Sequence, residues 1–188
     1  MIEETILGIS ENFKILAQHH SKKINEASDL MISSLQEGGK VIYCGNGGSA
    51  ADSQHLAAEL IGRYRKNRDP IPALALTTDT SIITAVANDF SFDDIFSRQI
   101  KALGSKNDIF YAISTSGNSK NVISAIKTAK SKNIKVIGLT GENGGLMSSI
   151  CDVLINVPSN RPDRIQEMHI AIGQIICEII EENFYSEN

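Results

Sequence analysis

Cys44-Gly45-Asn46-Gly47-Gly48-Ser49 follows directly on the run Lys40-Val41-Ile42-Tyr43, and its reading decides the fold. A short β-branched run that gives way to a glycine turn and then to a helical pattern is a strand–turn–helix unit. A second unit has the same form: Asp108-Ile109-Phe110-Tyr111-Ala112-Ile113 leads into Ser114-Thr115-Ser116-Gly117-Asn118-Ser119. Glycines let a backbone come close to a ligand, while hydroxyls, loop amides and a helix N-terminus supply hydrogen-bond donors. Two such turns at one end of a sheet make an anion pocket. The ligand they point to is a phosphorylated small molecule.

Working outward, strands are predicted at 40–44, 73–76, 108–113, 135–139 and 152–157. Between them lie helices at 49–64, 119–132 and 161–184, with shorter helical pieces near 80–87 and 93–103. Apolar strands separated by helices predict a doubly wound, parallel five-stranded sheet covered on both faces. Ligands of such sheets bind beyond the carboxyl ends of the strands, near a topological switch point, and both turns fall at that end. Before the sheet, apolar residues recur at helical spacing from Ile6 to Leu35. Two helices broken near His19-His20-Ser21 are expected there, ended by Gly38-Gly39. Residues 1–38 thus form a helical pair used in packing, and 39–188 form the α/β core of one domain.

Composition narrows the class. The 188 residues suffice for one domain with a full core, and the net charge of −4 argues against nucleic-acid or anionic-membrane partners. Three scattered cysteines, Cys44, Cys151 and Cys177, read as small buried residues of a reducing cytoplasm, not as a disulfide framework. The N-terminus lacks the pattern of a signal peptide, and no apolar stretch approaches the length of a membrane span. A cytosolic protein is expected.

The pairing of Cys-Gly-Asn-Gly-Gly-Ser (44–49) with Ser-Thr-Ser-Gly-Asn-Ser (114–119) resembles the sugar isomerase (SIS) domain family, and within it the phosphoheptose isomerases. The resemblance extends through Gln54-His55-Leu56-Ala57-Ala58-Glu59-Leu60, Gly62-Arg63-Tyr64, Ala87-Asn88-Asp89-Phe90, Phe96-Ser97-Arg98-Gln99 and Arg164-Ile165-Gln166-Glu167-Met168-His169. It implies conversion of sedoheptulose 7-phosphate to D-glycero-D-manno-heptose 7-phosphate, as a supply of heptose for bacterial surface glycans. Ser49, Ser114, Ser116 and Ser119, with Thr115 beside them, would hold the phosphate. Asn46, Gly47, Gly48, Asn88 and Asp89 would contact the sugar chain, and Asp52 and Asp163 are further polar candidates. His55, Glu59 and Gln166 match the family's metal positions, which often hold zinc. Homotetramers with active sites at subunit boundaries are implied as well.

One position departs from the family pattern. The closing helix carries Gln174 where a histidine, both metal ligand and proton-transfer group, is usual. Glutamine ligates through a neutral amide oxygen and does not exchange a proton near neutral pH, so weaker metal binding and slower turnover are expected. On an ideal helix Gln166 and Gln174 are separated by a rise of about 12 Å, and His169 points about 140° away from Gln174. The basic run Arg63, Arg65, Lys66 and Arg68 reads as a solvated face, with Arg63 able to assist a neighbouring subunit's phosphate.

The chemistry implied needs a base near adjacent carbons. Glu59 fills that role, and His55 one turn away, about 5.4 Å along the axis, lies on the same helix face. Two other functions fit parts of the pattern. One is a catalytically silent tetrameric binding scaffold, such as the relative that associates with the bacterial replication initiator. It has no need of Glu59. The other is a sugar-phosphate-sensing domain, which would be joined to a DNA-binding segment.

Overall fold

A computed structural model describes residues 1–186. Five strands, β1 (Val41–Cys44), β2 (Ala73–Ala75), β3 (Ile109–Ile113), β4 (Lys135–Thr140) and β5 (Val153–Asn156), form one sheet in the order β2-β1-β3-β4-β5. Every pairing is parallel. Six helices accompany them: α1 (Ile2–Gln36), α2 (Gly48–Ile61), α3 (Thr80–Asp89), α4 (Ser97–Leu103), α5 (Lys120–Ser131) and α6 (Pro162–Tyr185).

The alternation of side chains along the strands divides the interior into two cores. Val41, Tyr43, Ile109, Tyr111 and Ile113 point to one face, where α1, α2 and α6 cover them. Ile42, Cys44, Phe110 and Ala112 point to the other, covered by α3, α4 and α5. Strands buried on both faces read as continuous apolar runs without polar alternation, as β3 does. The order places the reversal of winding between β1 and β3. Their C-terminal ends are adjacent, with Cys44 beside Ala112, and the helices that leave them diverge to opposite faces.

The N-terminal helical pair is not formed: α1 is a single helix of 35 residues. His19-His20-Ser21 contains no residue that forbids a helix, and the Ser21 hydroxyl bonds back to the Ala17 carbonyl at 2.6 Å, a mid-helix arrangement. Leu16, Ile24, Ala27 and Met31 are buried along one continuous face. The expected end is observed, with Gly38 in the left-handed region at φ 78°. Helix α2 stops at Ile61, three residues short of its expected end. Cys44 and Cys177 are buried as expected, whereas Cys151 is half-buried. Among the described residues no helix is long and apolar enough to cross a membrane.

Helices α2 and α6 run side by side in the same direction. Gly48 lies against the Gln166 amide, Leu56 against Gly173, and the loop after α2 against Glu181. A Cβ at Gly173 would come within 2.4 Å of Leu56 Cδ1 and 2.5 Å of Cδ2, and Leu56 is buried. Helix propensity alone favours Gly173→Ala by about 1 kcal/mol. Here the crowding reverses the sign, because forcing carbon into a filled contact costs about 1–3 kcal/mol. Urea unfolding of Gly173→Ala is expected to show a net loss of stability; a gain would mean that the two helices are not in close contact.

Candidate active site

The turn after β1 is held tightly by its own backbone. Ser49 N–H donates to the Asn46 carbonyl at 3.0 Å, and Ala50 and Ala51 donate to Gly47. Gly47 takes φ 55°, a conformation that favours glycine. Gly45 has no room for a side chain, since a Cβ would meet Ser49 Cβ at 2.6 Å. Ser49 is buried beneath the turn, while Gly47 and Gly48 face outward.

The turn after β3 gathers hydroxyls. Ser114 Oγ lies 3.0 Å from Ser119 Oγ and 3.5 Å from Ser116 Oγ. Ser119 is the N-cap of α5, yet its side chain makes no capping bond. Its hydroxyl pairs with Ser114 instead, and Val122 N–H donates to Asn121 Oδ1 at 2.9 Å, which leaves the Lys120 and Asn121 amides for another acceptor; an anion is the group such a terminus favours. Gly117 at φ 65° passes against Gly144 and Gly145 of the loop after β4, where a Cβ would come 2.1 Å from the Gly144 carbonyl. Asn118 locks this contact: its Nδ2 donates to the Ser116 carbonyl at 3.0 Å and its Oδ1 accepts Leu146 N–H at 2.9 Å.

Asn46 joins the two turns instead of standing free for a ligand. Its amide exchanges hydrogen bonds with Asn121 of α5 at 2.9 and 2.8 Å. Asn121 is buried and Asn118 exposed. Sequence reading missed both as site residues; their placement at the start of α5, beside the serines, was the available signal.

Further along α2, His55 Nε2 and Glu59 Oε1 meet at 2.9 Å. The imidazole is half exposed and the carboxylate largely covered, with side-chain exposures of 49% and 21%. Seven and eleven residues separate them from Gly48, about 10 and 16 Å along an ideal axis. Asp52 lies between. Burial pushes its carboxyl up to about 6, against the opposing pull of His55, and its Oδ2 is buried without a partner.

The remaining expected residues disperse. Gln166 sits against Gly48 at the start of α2. Gln174 follows Gly173 at the crossing with Leu56 and is half-buried. Thr115 is half-buried in the serine turn, where its carbonyl accepts Gly141 N–H at 2.9 Å. Asn88 and Asp89 end α3 in the open, bonded to each other at 2.8 Å. Asp163 faces outward, and the Arg161 hydrogen bond in particular holds its carboxyl below the usual range. His169 is fully buried, with Nε2 3.1 Å from the Thr140 carbonyl, and burial lowers its pKa to about 4. It is a neutral core residue.

A zinc ion would need His55, Glu59, Gln166 and Gln174 to converge. Among the described residues no three His, Cys, Asp or Glu side chains converge. The other two donors are amides, and Gln166 lies at the opposite end of α2 from Glu59. The four residues of one chain do not fit a zinc centre.

A family model described as SIS domain matches residues 8–141. The chain belongs to the SIS-domain family, whose fold it carries. It is 57% identical over 159 residues to a phosphoheptose isomerase of Rhodospirillum rubrum, covering 85% of each chain. With one from Akkermansia muciniphila it shares 47% over 184 residues, 98% of this chain and 97% of the other. The solved phosphoheptose isomerase of Neisseria gonorrhoeae superposes with a TM-score of 0.91 at 42% identity, over 96% of this chain and 97% of that one. Within the SIS proteins, then, its family is that of the phosphoheptose isomerases.

Asp52 yields a test of the site's electrostatics. Its folded-state pKa is raised, so its stabilising contribution is complete below the unfolded value near 3.8 and is lost as pH rises through about 6. Compared by urea unfolding between pH 4 and pH 7, Asp52→Asn is expected to gain on the unaltered chain as pH rises. A constant difference would show that Asp52 is not desolvated.

Proposed function

We propose that this protein is a sugar-phosphate isomerase acting on sedoheptulose 7-phosphate and forming D-glycero-D-manno-heptose 7-phosphate through an enediol. The observation that carries the proposal is the convergence of the Ser114, Ser116 and Ser119 hydroxyls at the N-terminus of α5, in a fold that also presents a hydrogen-bonded His55–Glu59 pair. The names of its relatives support the choice of substrate.

In this reading the phosphate sits on the serine turn, and the glycine turn lets the sugar chain approach the backbone. The Glu59 carboxylate takes the proton from C1 of the ketose, leaving an enediol, and returns it to C2. The proton on O1 leaves as the one on O2 arrives, so the product is an isomer with no net gain or loss. His55, bonded to Glu59, orients the carboxylate. Positioned acid–base groups of this kind contribute roughly 10²–10⁴-fold.

Subunit assembly belongs to the same proposal. His55 and Glu59 lie well along α2 from the turn that starts it, and Ile6, Leu7 and Ile175 expose apolar surface. A homotetramer with sites at subunit boundaries accounts for both. Zinc, in this proposal, takes donors from two chains, His55 and Glu59 from one and Gln166 or Gln174 from another. The product would feed a cytoplasmic route to bacterial surface glycans.

The test is turnover of sedoheptulose 7-phosphate by the unaltered chain and by Gln174→His, each with and without zinc, together with zinc content per chain. Formation of heptose 7-phosphate by the unaltered chain is expected, with Gln174→His retaining more zinc because imidazole is the stronger donor. No product from either protein overturns the isomerase and favours a binding scaffold.

A further inference from the structure

Arg68 closes a basic run that reads as a solvated face, yet its side chain is 1% exposed. The partner is Glu181 of α6, 2% exposed, whose Oε1 accepts from Arg68 Nε at 2.8 Å. The rest of the guanidinium turns to backbone. Nη2 donates to the Glu59 carbonyl at 2.8 Å, and Nη1 donates to the carbonyls of Leu60 at 2.8 Å and Asp69 at 3.0 Å. Glu181 is used as fully. Its oxygens also accept the N–H groups of Tyr64, Arg65 and Lys66 at 3.1, 2.8 and 2.9 Å. Burial would raise this carboxyl, but those amides and the guanidinium outweigh it and hold it below its ordinary value.

A helix leaves its last carbonyls without internal partners, and the pair that Arg68 takes belongs to Glu59 and its successor. A planar guanidinium fixes direction as well as distance, which an ammonium does not. The backbone of Glu59 is thus tied through one side chain to a carboxylate on α6, the helix that carries Gln174. The Glu59 charge reaches Cys177 on that helix, adding to the burial that pushes the Cys177 thiol up to about 12. A buried ion pair by itself is weak evidence for stability. The specific partners here give it a different use.

We propose that Arg68 and Glu181 are positioning residues for the isomerisation, holding the last turn of α2 so that the Glu59 carboxylate faces the reacting carbons. This rests on the reading of Glu59 as the base. The pair touches no substrate itself and acts through the peptide of Glu59.

The experiment measures kcat and KM for sedoheptulose 7-phosphate in the unaltered chain, Arg68→Lys, Glu181→Gln and the double variant, with urea unfolding of each. Lysine keeps the positive charge but loses the fork, and glutamine keeps shape and an acceptor but loses the charge. Each folded variant is expected to lose about tenfold in kcat with KM within about twofold, since small misplacements of a reacting group cost this much or more. The double variant should lose no more than the worse single one, because the two residues act as a unit. Wild-type kcat in a folded variant well below its unfolding temperature, whatever stability is lost, reduces the pair to a brace and overturns the inference. Should one substitution prevent folding, the other carries the test. Absence of turnover in both the unaltered chain and Gln174→His instead overturns the isomerase reading on which this rests, and the two failures are told apart by that control; should only Gln174→His turn over, the same variants are compared in that background.

Discussion

Cys44 and Ala112 lie side by side at the ends of adjacent parallel strands, and from that pair the chain leaves for opposite faces of the sheet. Everything at the site depends on this divergence. It brings two helix N-termini to one edge without a connection crossing between them, the situation in which doubly wound sheets bind ligands. The glycine turn and the serine turn are then neighbours by topology, and the reciprocal amide pair of Asn46 and Asn121 fastens them. Gly144 and Gly145 press the serine turn from its other side.

The second constraint is the parallel packing of α2 on α6. Gln166 meets the start of α2, Gly173 its middle and Glu181 the loop beyond its end. One long helix therefore sets the position of the glycine turn, of the His55–Glu59 pair and of the α2 terminus together. The absence of a side chain at Gly173 permits the approach, and the buried Arg68–Glu181 contact closes it.

The sheet, its strand order of appearance and both turns were legible because their signals are local: β-branched runs followed by glycine and hydroxyl residues. The His55–Glu59 contact was legible for the same reason, since a spacing of four fixes neighbours on a helix. What was misread depended on partners far away in sequence. Histidines and a serine near residue 20 resemble a break until the continuous buried face of α1 is seen. Arg68 resembles its solvated neighbours because the carboxylate that buries it lies 113 positions later. Asn118 lies inside the serine-turn motif and Asn121 just beyond it, but neither position announces its partner, and the two arginines that pair with Asp163 are visible only once α6 is formed. The distance between Gln166 and Glu59 is likewise a property of how α6 lies on α2.

The proposed chemistry turns on proton removal by Glu59 from a sugar phosphate held at the serine turn. Its most direct measurement follows hydrogen at C1 of sedoheptulose 7-phosphate by NMR in deuterated water, with the unaltered chain and with Glu59→Gln. Loss of a C1 hydrogen with formation of the aldose is expected with the unaltered chain, whether the proton passes to C2 directly or after exchange with solvent, and neither conversion nor deuterium entry with Glu59→Gln even though the sugar phosphate still binds. Conversion or exchange that persists in Glu59→Gln would contradict proton removal by Glu59.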